Sequence, residues 1–314
     1  WAAYTENRAT EGSFSVILSN MNDQDANVTI YKGSNNNVVK SLTIPKGAVQ
    51  SIPLENNGSG MLTGTTIKSV GFRVVSTQPI TAYQFNPVRT SAVYNDALLL
   101  LPKNVYGKQY YNLIGMPYKD GWRDADLGGW LIDDTVYMAI QATSPGETKV
   151  TIKPTVTTAS GTGVSTISAN TSKTITLSQY QVLQLSSTSD LTGTEAIADK
   201  PFVAIAGCKS CLNAVAMLGD VQDHYSEQLF PYQSWGKNYA FAGFQKEDTE
   251  RDQYRIISHK DAVLTITPAI TDAKKGVIGG SQKINIKANT PYNIVTRDGF
   301  YLSSTEPILV AGFL

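Results

Sequence analysis

The sequence predicts an all-β fold, read as three tandem β-sandwich-like modules packed as one rigid body with pseudo-threefold internal repetition. Three observations carry that expectation. Apolar and polar residues alternate with period two in most short runs, as in Phe14-Ser-Val-Ile-Leu18 and Val136-Tyr-Met-Ala-Ile140. That is the pattern of a strand with one face in a core and the other in water. Turn residues recur at roughly the 8–12-residue spacing of a sandwich or barrel. The chain also repeats itself: Leu62-Thr-Gly-Thr65 returns 129 positions later as Leu191-Thr-Gly-Thr194. A fixed period of this kind marks repeated structural units.

The elements follow in order. Each module opens on an aromatic strand: Trp1-Ala-Ala-Tyr4, Tyr110-Tyr-Asn-Leu-Ile114, and Tyr239-Ala-Phe-Ala-Gly-Phe244. An alternating strand follows a polar loop (Phe14–Leu18, Val136–Ile140, Tyr254–Ile257), then a β-branched strand (Val28–Ile30, Val150–Ile152, Leu264–Ile266). Two strands flank a tight turn next: Leu42–Ile44 with Val49–Ile52, Ile175–Leu177 with Val182–Leu185, and Ile284–Ile286 with Tyr292–Ile294. A turn and a small-and-apolar strand close each module, as in Asp190–Cys208 and Tyr301–Gly312. The modules fall at 1–90, 110–207 and 239–314, joined by connectors at 91–109 and 208–238, the second holding Cys208 and Cys211. The connectors repeat too. Pro102 and Pro231 are 129 positions apart, as are Gly107 and Gly236, which argues for ordered segments packed between modules. The best helical candidate is Asp220–Leu229.

Composition narrows function. Among 314 residues 41% are hydrophobic, enough for a real core, and the 25 Gly, 13 Pro and 16 Tyr favour strands and turns. Zero formal net charge leaves no basic field to draw nucleic acid or anionic lipid. Apolar runs such as Ala97–Leu101, which ends at Pro102, fall far short of a membrane-spanning helix. Both ends look cut: Trp1–Tyr4 already reads as strand and Ile308–Leu314 stops within one, so the chain is expected to be a piece of a longer one. Two histidines without a nucleophile elbow build no Ser-His-Asp site, and a non-catalytic protein is expected.

Several of these residues, taken together, carry a resemblance. They are the opening aromatic strand, the Leu-Leu-Pro-x4-Gly-Lys-x-Tyr connector, and Asp190-Leu-Thr-Gly-Thr194 with Asp199-Lys-Pro201. Asp223-His224 joins them, followed by Glu227-Gln228 and Pro231-x3-Trp235-Gly236-Lys237. The sequence resembles the IgGFc-binding protein amino-terminal domain family. The resemblance implies an extracellular or cell-surface setting within a longer multidomain chain. It carries no agreed binding residues. The family pattern places one cysteine near Cys208 and another just before the Asp-His pair, where this chain has Gln222. Its second cysteine is Cys211, which puts the usual bridge in doubt.

Candidate sites each have a plain structural alternative. Cys208-Lys-Ser-Cys211 reads as a structural disulfide, a pair of buried thiols, or half of a metal or redox site; an extracellular setting favours the disulfide. Asp220-x-x-Asp223-His224-x-x-Glu227 could ligate zinc or pair an acid with a base, or cap turns in a packed connector. The acidic and amide-rich stretches Asn20–Asp25, Asp120–Asp126 and Glu247–Asp252 offer the oxygen ligands calcium takes, and polar loops explain them equally. No other cofactor is implied. The loop Tyr118–Trp130 is the most function-like. Tyr118, Trp122, Asp124, Asp126 and Trp130 join aromatic faces to carboxylates, which suits sugar stacking or a protein contact; the alternative is that the tryptophans cover a module junction.

The function these readings imply is an extracellular binding or adhesion domain that recognises a glycan or glycoprotein through loops. The alternative is a structural subunit of a surface filament or layer, built from copies of itself through strand or interface contacts.

Overall fold

The computed structural model describes residues 1–6, 12–33, 37–56, 58–88, 95–114, 135–212, 222–243, 252–270, 277–278, 281–296 and 299–313. Strands come first as β1 (Ser13–Ser19), β2 (Ala26–Lys32), β3 (Asn37–Ile44), β4 (Val49–Asn56), β5 (Thr66–Lys68), β6 (Phe72–Ser76), β7 (Thr81–Val88) and β8 (Ala97–Leu99). The next series is β9 (Gln109–Tyr111), β10 (Val136–Ala142), β11 (Glu147–Lys153), β12 (Lys173–Ser178), β13 (Val182–Ser187), β14 (Glu195–Ala198), β15 (Phe202–Leu212) and β16 (Gln222–Gln228). The last is β17 (Gly236–Phe241), β18 (Asp252–Ser258), β19 (Ala262–Thr267), β20 (Ala269–Ile270), β21 (Val277–Ile278), β22 (Gln282–Ile286), β23 (Tyr292–Thr296) and β24 (Phe300–Phe313). The described residues are all-β apart from two single-turn 3-10 helices, Lys103–Val105 and Tyr232–Ser234.

Pairing between these strands is antiparallel, and its order recurs. The first series forms sheets β4-β1-β7-β8 and β3-β2-β6; the second forms β16-β15-β10-β13-β5 and β12-β11-β14-β9. The third runs β22-β19-β24-β18-β23, with β17 also on β24. There β24 does the work of two strands. Tyr301–Ser304 pairs with β19, and Ile308–Phe313 pairs with β18. The alternation seen in the sequence supplies the cores. Phe14, Val16 and Leu18 pack with Val28 and Ile30; Met138 and Ile140 with Val150 and Ile152; Tyr254 and Ile256 with Leu264 and Ile266. β10 is buried on both faces, because Tyr137 and Ala139 join the core of the first series while Met138 and Ile140 serve the second.

The helical candidate Asp220–Leu229 needs correction over its described residues: Gln222–Gln228 is strand β16, paired with β15 from Ile205 to Leu212. His224, Ser226 and Gln228 are buried and Glu227 is exposed, a two-residue period that a helix could not bury. The strands around each tight turn do not pair with each other. β3 pairs with β2, while β4 pairs with β1 in the other sheet. Each turn carries the chain across the sandwich, closed by Ala48 N to Pro45 O (3.1 Å), Gln181 N to Ser178 O (2.9 Å) and Thr290 N to Lys287 O (3.2 Å). The third turn residue is left-handed each time: Gly47, Tyr180 and Asn289. Such a turn needs a positive φ at that position.

The repeated motifs lie where one series meets the next. At the first Leu-Thr-Gly-Thr, Gly64 N donates to Glu6 Oε2 (2.7 Å), Gln184 Nε2 donates to Gly64 O (2.9 Å), and the Thr65 and Ser186 hydroxyls bond at 3.0 Å. At the second, a Cβ on Gly193 would stand 2.0 Å from the Asn289 carbonyl oxygen, so only glycine lets the two backbones meet. Beside it, Arg255 is 1% exposed. Its Nη2 donates to Asp190 Oδ2 (2.5 Å), its Nη1 to Ile114 O (2.6 Å) and its Nε to Asn293 Oδ1 (3.1 Å).

The Gly-Lys-x-Tyr connectors make one hydrogen-bonded device twice. Gly107 N donates to the Tyr110 hydroxyl (2.9 Å), which donates to Phe202 O (2.9 Å). Gly236 N donates to the Tyr239 hydroxyl (3.0 Å), which donates to Ile308 O (2.7 Å). Each tyrosine clips the connector to the strand that ends its series.

Two predictions follow from these joints. Asp190→Ala strands the Arg255 guanidinium in a buried interface and is expected to cost about 3–5 kcal/mol, read from the urea midpoint; a loss under about 1 kcal/mol would mean the pair behaves as a surface one. Tyr110→Phe leaves a buried donor and acceptor unmatched and should cost about 1–3 kcal/mol, more than the same change at the half-buried Tyr239.

Candidate functional site

Four segments outside the described residues leave the scaffold close together: 7–11, 89–94, 115–134 and 213–221. Their anchors show the convergence. Glu6 pairs with Lys209 (3.6 Å), and Lys209 N donates to Thr135 O (2.8 Å), where 115–134 ends. Ser13 pairs with Val88, and Leu212 with Gln222, across the other gaps.

Beneath them lies a buried polar network. The Tyr137 hydroxyl donates to Thr5 Oγ1 (2.9 Å), and Asn86 Nδ2 donates to the same oxygen (2.9 Å) and to Thr5 O (3.1 Å). Asn86 Nδ2 also stands 3.2 Å from His224 Nε2, and the His224 ring lies against Tyr137 with centroids 6.4 Å apart. The small-and-apolar strand explains itself here: a Cβ on Gly207 would sit 2.0 Å from the Tyr137 ring. Burial pulls the His224 imidazole down to about 4, against hydrogen bonds to the backbone of Cys208 and Lys209 that raise it. On the outer face of β16, crowding at the mouth of a cavity pushes the Glu227 carboxyl up to about 7, with the Asp96 charge adding to the effect. Asp96 itself accepts from Ala97 N (2.8 Å), Ser226 N and the Ser226 hydroxyl (2.9 Å), tying β8 to β16.

The sequence-predicted residues distribute as follows. Tyr118, Trp122, Asp124, Asp126 and Trp130 lie outside the described residues, in 115–134. So do Asp120–Asp126, and Glu247–Asp252 apart from Asp252. Cys208 is buried and disulfide-bonded. Cys211 stands in β15 with its backbone opposite Asp223. His224 points into the network while Glu227 faces outward, so those two do not converge. Among the described residues no three His, Cys, Asp or Glu side chains gather as a metal site. In Asn20–Asp25, Asn20 Nδ2 donates to Gln24 O (2.9 Å) and Ile44 O (3.0 Å), and Asp25 accepts from Lys46 N (2.9 Å).

Sequence reasoning missed Thr5, Asn86 and Tyr137. Polar residues at inward-facing positions, Gln84 and Asn86 on β7, were the available signal. His259, the other histidine, has Tyr232 Oη 3.2 Å from its Nε2, and Tyr111 and Trp235 close the same aromatic cluster. A polar cleft of about 480 Å³ runs along the second joint, but its carboxylates are engaged: Asp190 by Arg255, and Glu195 by Tyr111 (2.5 Å) and Gln109 (2.9 Å).

Residues 96–314, more than half of the chain, match the family model described as IgGFc binding protein. The chain belongs to that family. The match opens at Asp96, the residue that ties β8 to β16, and runs through both Gly-Lys-x-Tyr connectors and the second Leu-Thr-Gly-Thr. The family is described by binding, not by a reaction. The curated proteins contain no match to the chain. No helix among the described residues is long and apolar enough to cross a membrane.

The network sets a pH dependence. The unfolded imidazole takes its proton near pH 6.5, the folded one only near 4, so the stability His224 contributes is complete above pH 6.5 and lost as pH falls to 4. The loss should approach about 3 kcal/mol. Glu227 has the opposite sign: its folded carboxyl holds a proton up to about 7, so its contribution is present below pH 4.5 and lost as pH rises through 7. Urea midpoints taken from pH 4 to 7 should therefore rise toward acid in His224→Gln, which keeps only the Glu227 contribution, and fall toward acid in Glu227→Gln, which keeps only that of His224. An unchanged profile in His224→Gln would remove His224 from the account.

Proposed function

We propose that this chain is a non-catalytic extracellular binding or adhesion domain that recognises a glycan or glycoprotein through its loops. One observation carries the reading: the anchors of four loop segments converge over a buried, hydrogen-bonded base. Binding residues sit disproportionately on loops held by a rigid scaffold. The twenty residues between buried Ile114 and Thr135 contain Tyr118, Trp122, Asp124, Asp126 and Trp130. Aromatic faces beside carboxylates suit sugar rings and their hydroxyls, or the aromatic anchors of a protein contact. Family membership supports binding as the activity, and an antibody Fc fragment belongs among the ligands tried. A bridge from Cys208 to Cys211, the only other cysteine, would pin β15 beside these loops.

Immobilised glycans, mucin-type glycoproteins and Fc, each presented with and without calcium, test this. The Trp122→Ala/Trp130→Ala variant should lose binding at least about tenfold, with its melting temperature held within about 2 °C. A large fall in melting temperature would show the tryptophans to be core. The second reading, a filament or layer subunit, predicts instead light scattering that grows with concentration in the absence of any ligand.

A further inference from the structure

The walls of the polar cleft at the second joint, about 480 Å³, come from two strand series. One wall is the end of β11 with the residues after it, Lys153 to Val156, and the turn Asp190–Glu195 that leads into β14. The other is the tight turn between β22 and β23, Ala288 to Pro291. These walls are held by their own bonds. Thr155 Oγ1 donates to Thr192 O (3.0 Å) and Thr155 N to Thr194 Oγ1 (3.2 Å). Asn170, which also lines the cleft, donates from its N to Pro154 O (2.7 Å). On the far side Asn289 N donates to Ser258 O (2.7 Å) while its carbonyl lies against Gly193. A concave site between packed units, formed before anything binds, is where small polar ligands are recognised.

The groups left unused decide the ligand. Lys153 and Glu195 stand directly opposite in the β11–β14 ladder, where opposite charges ordinarily pair. Here Glu195 Oε1 takes the Tyr111 hydroxyl (2.5 Å) and Gln109 Nε2 (2.9 Å) instead. Among the described residues Lys153 has no ion-pair partner, so its ammonium keeps three donors and Glu195 Oε2 keeps its acceptor sites. The exposed Asn170 side chain, on a left-handed residue, makes no bond either. The Thr290 hydroxyl gives its proton to Ala288 O (3.3 Å) and so presents an acceptor. Val156 and Pro291 add apolar lining.

Charge narrows the class. Asp190 is matched by Arg255, and Lys153 balances Glu195, so the cleft favours neither an anion nor a cation. Donors and acceptors interspersed beside apolar lining suit a neutral sugar. Each of its hydroxyls both donates and accepts, and its ring carries C–H faces.

We infer that the second-joint cleft is a saccharide site that takes a neutral mono- or disaccharide unit. Lys153 and Asn170 donate to its hydroxyls, Glu195 Oε2 accepts from them, and Val156 and Pro291 meet the ring. The site is separate from the loop segments and does not rest on the loop reading. Because its two walls belong to different series, a bound sugar also clamps the joint.

The test titrates the whole labelled chain with lactose, maltose, cellobiose and N-acetyllactosamine, followed by amide spectra. At least one should bind saturably in the millimolar range, shift amides at 153–156, 190–195 and 288–291, and raise the melting temperature. Lys153→Ala, at an exposed residue, should keep the melting temperature of the free chain and weaken binding at least about fivefold. Thr290→Trp, also at an exposed residue, fills the cleft and should abolish binding. The Trp122→Ala/Trp130→Ala variant should bind the sugar as the unchanged chain does; loss of binding there would give the sugar to the loops and overturn this site. No saturation by any of the sugars up to about 50 mM also overturns it. So does full affinity in Lys153→Ala and Thr290→Trp, or tighter binding of glucuronate or glucosamine than of glucose.

Discussion

The Arg255 guanidinium is the constraint on which the placement of the last strand series depends. It is almost wholly out of water, and a buried charge is tolerated only when its hydrogen-bonding directions are used. Asp190, Ile114 and Asn293 use them. Two of the three partners come from the preceding series, so moving β18 by even one hydrogen-bond length would leave the charge unmatched. Apolar packing alone would tolerate sliding; a forked cation with three acceptors does not. Gly193 makes the same joint sterically narrow, since its missing Cβ is what lets Asn289 approach.

Elsewhere the chain reuses a few local solutions. Tyr110 and Tyr239 clip two connectors by the same pair of bonds, and left-handed residues close three tight turns at Gly47, Tyr180 and Asn289. The first and second series interlock through β10, whose two faces belong to two cores. At one end this interlocking brings Thr5, Asn86, Tyr137 and His224 into a buried polar network. Such a network costs desolvation, and when satisfied it specifies one arrangement.

Much of the fold was legible because its signals are local. Period-two alternation marked Phe14–Leu18, Val136–Ile140 and Tyr254–Ile257 as strands, and all three became the inner strands β1, β10 and β18. The 129-residue spacing of Pro102 with Pro231 and Gly107 with Gly236 marked equivalent connectors. Within the helical candidate Asp220–Leu229, pairing with β15 decided that Gln222–Gln228 is strand, which no local pattern records. The aromatic segment 115–134 was singled out from composition alone, and its Trp122 and Trp130 remain a matter for experiment.

By itself the sequence determined the all-β class, the order of the strands and the repeated turns and connectors, since each rests on side-chain period or on residues a few positions apart. Only the tertiary structure decided which strands share a sheet, because the strands on either side of a tight turn can pair or cross the sandwich with the same local pattern. It alone joined Arg255 to Asp190 and Asn86 to His224, pairs far apart in the chain that meet only when sheets stack.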